Sequence, residues 1–244
     1  MMNCKRCVIG GFFLVLFLFA VNLASGQVVY EPTTKKKEAP PPRNLKVLNE
    51  EPDGKGNIVR IIQYDQGSMR VTETIIMPKR PPAYVVNKIK LNPDTINKDS
   101  MLIVVDKSKY SVNVFYKKKM IRAYKATFGP KPLQDKCMEG DRCTPEGWFR
   151  ISRLNPNSKY HKFLQIDYPT TETRERFNRL KKEGIIPASA RIGGDIGIHG
   201  IWKGGDDMIE LGVGWTDGCV ALKNTDIEDL FSIVGVGTRV YIRK

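Results

Sequence analysis

Residues 100–129, SMLIVVDKSKYSVNVFYKKKMIRAYKATFG, contain three short apolar runs separated by polar residues. The runs MLIVVD (101–106), YSVNVFY (110–116) and MIRAYKATFG (120–129) are rich in β-branched and aromatic side chains. Residues of this kind favour strands over helices, and the polar breaks between the runs are typical of turns. The stretch therefore predicts consecutive β-strands.

The same kind of signal continues downstream. Further short strands are predicted at GWFRIS (147–152), FLQIDY (163–168), IGIHG (196–200), GCVALK (218–223) and RVYIRK (239–244). Helical signals are few. Residues 172–183, ETRERFNRLKKE, predict one polar helix, and Thr225-Asp226-Ile227-Glu228 is a capping box that predicts a helix through Val234. The expected fold of residues 98–244 is mainly β, a sandwich or barrel-like domain with short helices.

The N-terminal segment 1–26 has the layout of a secretory signal peptide. Lys5 and Arg6 precede a long apolar run, which ends in the small residues Ala24, Ser25 and Gly26. Cleavage after Gly26 is expected, and an uncleaved membrane anchor is the alternative. Either outcome predicts export to the periplasm or cell envelope.

Two further segments precede the main domain. Residues 27–56 include EPTTKKKEAPPPRN and are predicted to be a Pro- and Lys-rich linker, because this composition buries little apolar surface. Residues 57–97 are predicted to form an N-terminal extension. It contains a hairpin that turns near Asp65-Gln66-Gly67-Ser68. Two strands alone are marginally stable, so the hairpin is expected to dock on the main domain.

The chain is strongly basic, with a formal net charge of +14. This charge favours an anionic cell-wall polymer or membrane surface as a partner. Nucleic acid is not expected, because the chain is predicted to be exported and has no recognition motif. The basic runs also fit ordinary solvated surface charge, and the oligomeric state is left open.

The exported chain keeps Cys137, Cys143 and Cys219. An odd number of cysteines in an oxidising compartment suggests one disulfide and one remaining thiol. The short polar loop between Cys137 and Cys143 predicts that these two form the bridge. Two free thiols or a zinc site are the weaker alternatives. The zinc site is disfavoured because the spacing is not a usual zinc spacing and the chain has only His161 and His199.

Five motifs in a fixed order carry a family resemblance. After residues 100–129 come GDRCTPEGWFRI, SKYHKFLQIDYP, IGGDIGIHG, and GWTDGCVALKNTDIEDLF followed by GTRVYI. This order resembles the YkuD-type L,D-transpeptidase catalytic domain over residues 98–244. The resemblance implies a β-sandwich-like fold and a catalytic cysteine that acts on peptidoglycan stem peptides, and this chemistry requires no cofactor or metal.

The candidate catalytic residues are Cys219, His199, Gly200 and Gly218. A thiol needs a nearby base to become an acyl-transfer nucleophile, and the family pattern assigns that role to His199, with the Gly200 carbonyl orienting its ring. A core histidine is the alternative for His199. Backbone N–H groups around Gly218 are candidates for an oxyanion hole, although Gly218 also fits a plain turn residue.

The cysteine motif departs from the commonest family pattern. Many members have Ser-His-Gly-Cys where this chain has Thr216-Asp217-Gly218-Cys219, and an arginine often found two positions after the cysteine is Ala221 here. The substrate carboxylate must then bind another cation.

The remaining candidates are substrate-binding residues. Arg191 or Lys203 is the candidate cation, and Thr216 is a further candidate contact. Asp217 either stabilises a protonated His199, attracts a substrate ammonium, or is an ordinary turn residue. His161 lies either on the surface or in the substrate groove.

Cysteine-dependent acyl transfer on stem peptides, through a thioester intermediate, is therefore the expected function. Hydrolysis of the same L,D-linked bonds, or of links between proteins and peptidoglycan, is the alternative within the fold. A non-catalytic wall-binding module is the alternative from another class.

Overall fold

The computed structural model describes residues 42–79 and 97–244, which form one small and one large β-sheet. The predicted signal peptide and residues 27–41 of the predicted linker lie outside the described residues. Within the described ranges, none of the helices has the length and apolar character needed to cross a membrane.

Eleven strands and three α-helices make up the described fold. The strands are β1 (Arg43–Pro52), β2 (Asn57–Gln66), β3 (Met69–Pro78), β4 (Met101–Asp106), β5 (Ser111–Tyr116), β6 (Lys119–Lys125), β7 (Gly147–Ser158), β8 (His161–Ile166), β9 (Gly197–His199), β10 (Val220–Ala221) and β11 (Arg239–Arg243). The helices are α1 (Thr171–Lys182), α2 (Asp206–Leu211) and α3 (Asn224–Ile233), and a short 3₁₀ helix covers Lys98–Ser100.

The large sheet has eight strands in the order β10-β9-β8-β7-β11-β4-β5-β6. The β9–β10 and β4–β11 pairs are parallel, and the others are antiparallel. The sheet also closes on itself, because Thr127, just beyond β6, exchanges two backbone hydrogen bonds of 2.9 Å with Ala221 of β10. These strands confirm the predicted mainly β fold.

One hydrophobic core lies against the large sheet. Along β4 the side chains of Met101, Ile103 and Val105 are fully buried, as the period of two in a strand requires. They pack with buried residues of the other strands and of α3, including Ile227 and Leu230. Burial of each large aliphatic side chain favours folding by about 1.5 to 3 kcal/mol relative to exposure.

The helices differ in how they begin. The structure confirms the predicted polar helix as α1, where the Thr170 hydroxyl caps the Thr173 N–H at 3.3 Å. The capping-box prediction is wrong, because α3 begins at Asn224, after Lys223 as N-cap residue, and no side chain caps it. Thr225 already lies inside the first turn, since α3 starts almost directly after β10.

The small sheet has the order β1-β2-β3 and contains the predicted hairpin as β2 and β3. The linker prediction is wrong for residues 43–52, which form β1 and pair antiparallel with β2. An unpaired β2 edge would expose its backbone hydrogen-bonding groups, and β1 satisfies them. Arg60 of β2 also binds the Glu50 carboxylate at 2.6 Å.

The small sheet docks on the region around α2, as expected for the hairpin. Ile62 and Tyr64 of β2 form a second buried cluster with Ile201, Met208 and Ile209.

Further contacts border this cluster. Trp202 and Trp215 pack against it, and the Arg60 guanidinium donates to the Leu211 carbonyl at 3.0 Å. The N-terminal extension therefore shares an apolar interface with residues that also flank the candidate site.

Truncation of Ile62 tests this interface. Ile62→Ala should destabilise the protein by about 2 to 5 kcal/mol, because it leaves a cavity between the small sheet and α2. Ile76→Ala is the matched control on β3, since Ile76 is 60% exposed and Ile62 is 0% exposed. Chemical denaturation measures both free energies of unfolding. Equal values for the two variants would show that the small sheet does not dock.

Candidate active site

Cys219 and His199 lie on neighbouring parallel strands. Val220 pairs with Ile198 and Ala221 pairs with His199, so Cys219, just before β10, lies opposite Gly197. Side chains two residues apart on a strand point to the same face. The register therefore places the Cys219 thiol and the His199 ring on one face, as diagonal neighbours.

Two glycines allow this arrangement. Gly218 has a φ of +130°, and a Cβ there would lie 2.6 Å from the Cys143 carbonyl oxygen. A Cβ at Gly200 would collide with the Asn224 side-chain oxygen, which accepts a hydrogen bond of 2.9 Å from the Ile201 N–H. The turn before the thiol and the segment after the histidine both require glycine.

His199 is 3% exposed and is enclosed by aromatic rings. Its ring stacks on Tyr160 at 4.9 Å between centroids, and Trp215 meets it edge-on at 5.5 Å. Its Nδ1 lies 2.6 Å from the Gly200 carbonyl oxygen. A carbonyl only accepts, so Nδ1 carries the hydrogen and Nε2 keeps a lone pair. Burial lowers the pKa of His199 to about 4.

Cys219 is only partly exposed, and its thiol donates to the Asp195 carbonyl at 3.5 Å. Burial raises the pKa of Cys219 to about 11, although the Gly197 N–H and the Lys136 ammonium act in the opposite direction. At neutral pH the pair is therefore a neutral thiol and a neutral imidazole. Such a pair forms the nucleophile only when the imidazole accepts the thiol proton during attack.

Thr216 braces the cysteine turn. Its hydroxyl donates to the Cys219 carbonyl at 2.7 Å and accepts from the Gly218 N–H at 3.3 Å. The Gly218 N–H is therefore already bound, whereas the Cys219 N–H has no acceptor within residues 42–79 and 97–244. Of the turn amides predicted to form an oxyanion hole, that of Gly218 is occupied, and those of Asp217 and Cys219 have no acceptor in the described residues.

Asp217 contacts Arg142 rather than His199. Arg142 Nε donates to Asp217 Oδ1 at 3.0 Å, and Arg142 Nη2 donates to the Trp215 carbonyl at 3.1 Å. Among the smaller influences on Cys219, the charge of Asp217 raises the pKa of the thiol. The carboxylate thus opposes the thiolate, which is the reverse of the effect expected if it lay closer to His199 than to the sulfur.

Neutralising Asp217 should therefore make the thiol more reactive. We expect Asp217→Asn to shift the pH dependence of Cys219 alkylation by iodoacetamide to lower pH. The shift should be small and should shrink at 1 M salt, because the Asp217 side chain is 84% exposed and salt screens it. A shift to higher pH would contradict the structure.

The other predicted substrate-binding residues have local partners or lie on the surface. Arg191 makes two hydrogen bonds to the Glu139 carboxylate, at 2.9 and 3.0 Å. His161 Nε2 lies 2.6 Å from a Glu228 carboxylate oxygen. Lys203 is exposed in the turn before α2. The contacts of Arg191 and His161 do not join them to Cys219.

The predicted disulfide is wrong, because no bridge joins Cys137 and Cys143. The Asp141 carboxylate closes this loop by accepting from the N–H groups of Cys137, Met138 and Cys143 at 2.6 to 2.9 Å. Burial raises the pKa of Cys143 to about 12 and keeps its thiol protonated.

Sequence reasoning missed several residues of the site. Tyr160 and Trp215 enclose His199, Asp195 accepts from the thiol, and Arg142 binds Asp217. The aromatic residues have a usable signal, since Tyr160 lies in SKYHK and Trp215 lies in GWTDGC. Arg142 and Asp195 also stand in the quoted motifs, GDRCTPEGWFRI and IGGDIGIHG, but nothing in these motifs shows that the fold brings both loops to the thiol.

The profile of the YkuD family, described as L,D-transpeptidase catalytic domain, matches residues 100–242. No curated protein matches the chain.

Similar solved structures share low sequence identity with this chain. An L,D-transpeptidase from Xylanimonas cellulosilytica has 16% identity and a TM-score of 0.39, covering 60% of this chain and 62% of its own. The helical cell shape determining protein Pgp2 from Campylobacter jejuni has 23% identity and a TM-score of 0.44, with coverages of 61% and 48%. An L,D-transpeptidase from Mycobacterium smegmatis has 13% identity and a TM-score of 0.39, and 82% of each chain is covered.

Proposed function

Because the chain belongs to the L,D-transpeptidase catalytic domain family, we propose that it transfers the acyl group of a peptidoglycan stem peptide through a thioester on Cys219. The observation that carries this proposal is the placement of a thiol and an imidazole on one face of two paired strands. The hydrogen on His199 Nδ1, facing the Gly200 carbonyl, leaves Nε2 as the base. The predicted export would place this reaction in the cell envelope.

In the first half-reaction His199 Nε2 accepts the thiol proton while Cys219 Sγ attacks the carbonyl carbon. That carbonyl belongs to the third residue of the stem, in the peptide bond that joins this residue to the terminal D-amino acid. The tetrahedral oxyanion accepts from the Cys219 N–H. His199 then donates the proton to the leaving amine, the C–N bond breaks, and the thioester remains.

In the second half-reaction an acceptor amine attacks the thioester carbonyl. His199 Nε2 removes a proton from the amine, and the thiolate leaves and regains that proton. The product is a crosslink between two stems. Water in place of the amine gives hydrolysis by the same steps, so access of the acceptor decides between the two products.

The buried histidine supports this order of events. Its pKa near 4 keeps the imidazole unprotonated and able to accept a proton at neutral pH. The thiol, with a pKa near 11, stays protonated until substrate arrives, which protects it from adventitious electrophiles. Proton transfer and attack are therefore coupled.

Defined muropeptides test the proposal directly. Pure protein is incubated with a tetrapeptide stem, with and without an amine acceptor, and products are identified by mass. We expect release of the terminal D-amino acid and a crosslinked product. Release without a crosslink, even with the acceptor present, would identify a hydrolase of the same bond. Binding without any release would identify a wall-binding module and overturn the proposed reaction.

A further inference from the structure

Arg142 holds a strained backbone conformation beside the cysteine turn. Its φ is +59°, in the left-handed region that side chains other than glycine rarely adopt. A Cβ at Gly129 would collide with the Arg142 carbonyl oxygen, and a Cβ at Gly218 would lie 2.6 Å from the oxygen of Cys143. Residues 142–143 therefore pack by backbone contact against the turn that carries Cys219. Strain of this kind clusters at functional positions.

The guanidinium of Arg142 keeps one edge open. Arginine has five N–H donors. Nε donates to Asp217 and Nη2 donates once to the Trp215 carbonyl, so both Nη1 hydrogens and one Nη2 hydrogen have no acceptor in the part of the chain that the structure describes. The side chain is 44% exposed. The Nη1–Nη2 edge has the geometry that binds a carboxylate through two parallel hydrogen bonds.

A buried lysine fixes the loop that carries Arg142. Lys107 is 0% exposed, and its ammonium donates to the carbonyls of Gln134 and Thr144 at 2.8 and 3.1 Å. It also binds the Glu146 carboxylate at 2.8 Å. These contacts hold both ends of the loop, and Asp217 holds the guanidinium, so the arginine is positioned before any ligand arrives.

Other cations near these loops are engaged elsewhere. Arg191 binds Glu139 through two hydrogen bonds, and Lys136 is 5% exposed and binds Asp141 at 3.0 Å. Ala221, two positions after the thiol, is fully buried. Arg142 is joined to residues two and four positions before the thiol and is the cation best placed to meet a substrate there.

We propose that Arg142 binds the terminal carboxylate of the acyl-donor stem peptide, with Asp217 as the residue that positions its guanidinium. This assignment rests on the proposed function. The terminal carboxylate lies one residue beyond the bond that breaks, so a cation beside the cysteine turn is in reach of it. Arg142 then selects acyl-donor stem peptides in which a single residue with a free carboxylate follows the cleaved bond.

Binding to a variant that cannot turn over tests this proposal. In the Cys219→Ala background, calorimetry compares a tetrapeptide stem as free acid with the same peptide as C-terminal amide. With Arg142 present, amidation should weaken binding roughly 10- to 100-fold, the range expected for hydrogen bonds to a charged group. With Arg142→Gln added, both peptides should bind equally weakly. Arg191→Gln is the matched control and should keep the full preference for the free acid.

A second variant separates binding from folding. Arg142→Gly removes the guanidinium and suits the left-handed backbone, so its melting temperature should match or exceed that of the parent, while the preference for the free acid disappears. Equal binding of both peptides by the parent, or a preference that survives Arg142→Gln, overturns the assignment of Arg142. If the intact enzyme turns over both peptides equally well, only this inference fails. If it binds and turns over neither, the proposed function fails with it.

Discussion

Cys219→Ala should lower stem-peptide turnover by roughly 10,000-fold or more and leave the melting temperature almost unchanged. The reason is that the variant loses the atom that forms the thioester. The thiol is a weak donor, so loss of its hydrogen bond to the Asp195 carbonyl at 3.5 Å affects stability little. Turnover is measured by release of the terminal D-amino acid.

Cys137→Ala is the matched control for this experiment. Cys137 is also a partly exposed cysteine, and its sulfur contacts the Asp135 carbonyl and Arg176 rather than the strand pair that holds His199. We expect its turnover to equal that of the wild type. Wild-type turnover in a folded Cys219→Ala protein would remove Cys219 from the mechanism.

His199→Gln should lower kcat/KM by roughly 100- to 10,000-fold, the usual contribution of a general base. Glutamine can still donate a hydrogen bond but cannot accept the thiol proton. Wild-type kcat/KM should fall only as the pH approaches about 4, because burial lowers the pKa of His199 to that value. The variant should lose this acid limb and gain activity toward alkaline pH, where the thiol ionises without help.

His161→Gln is the control for the second histidine, since His161 contacts Glu228 and not the thiol. Its pH–rate profile should match that of the wild type. A wild-type profile for His199→Gln would show that another group is the base.

The buried histidine also predicts how stability depends on pH. The unfolded chain binds a proton at His199 below about pH 6.5, whereas the folded chain binds it only near pH 4. The folded state is therefore favoured above that window and loses roughly 3 kcal/mol as pH falls through it, at about 1.4 kcal/mol for each pKa unit. Denaturation of wild type and His199→Gln at pH 7 and pH 4 measures this difference, which should be smaller in the variant.

The sequence predicts those parts of the fold that depend on local pattern. In β4 fully buried side chains alternate with partly buried ones over most of the strand, and α1 has a capping threonine, so the local sequence is enough to predict both elements. β1 could not be predicted in this way, because almost all of its side chains are exposed and its partner is the edge of β2. Its strand conformation depends on pairing and not on its own composition.

The candidate site also has some features that follow from local sequence and others that only the fold reveals. Cys219 and His199 stand in recognisable motifs, and their placement on one face follows from the strand register. The count of cysteines led to a wrong disulfide, because a count does not reveal that Asp141 already closes the loop. Arg142 could not be identified from sequence, since its contact with Asp217 joins positions 75 residues apart.

The bridge between Thr127 and Ala221 has a consequence for the lifetime of the site. A strand of two residues at a free sheet edge would fray on its own and exchange its amide hydrogens quickly. β10 is instead held on one side by β9 and on the other by Thr127, and Ala221 is fully buried. Its amide hydrogen can exchange with solvent only when the closed sheet opens. We therefore expect the backbone next to the cysteine to lose its position only when the protein unfolds.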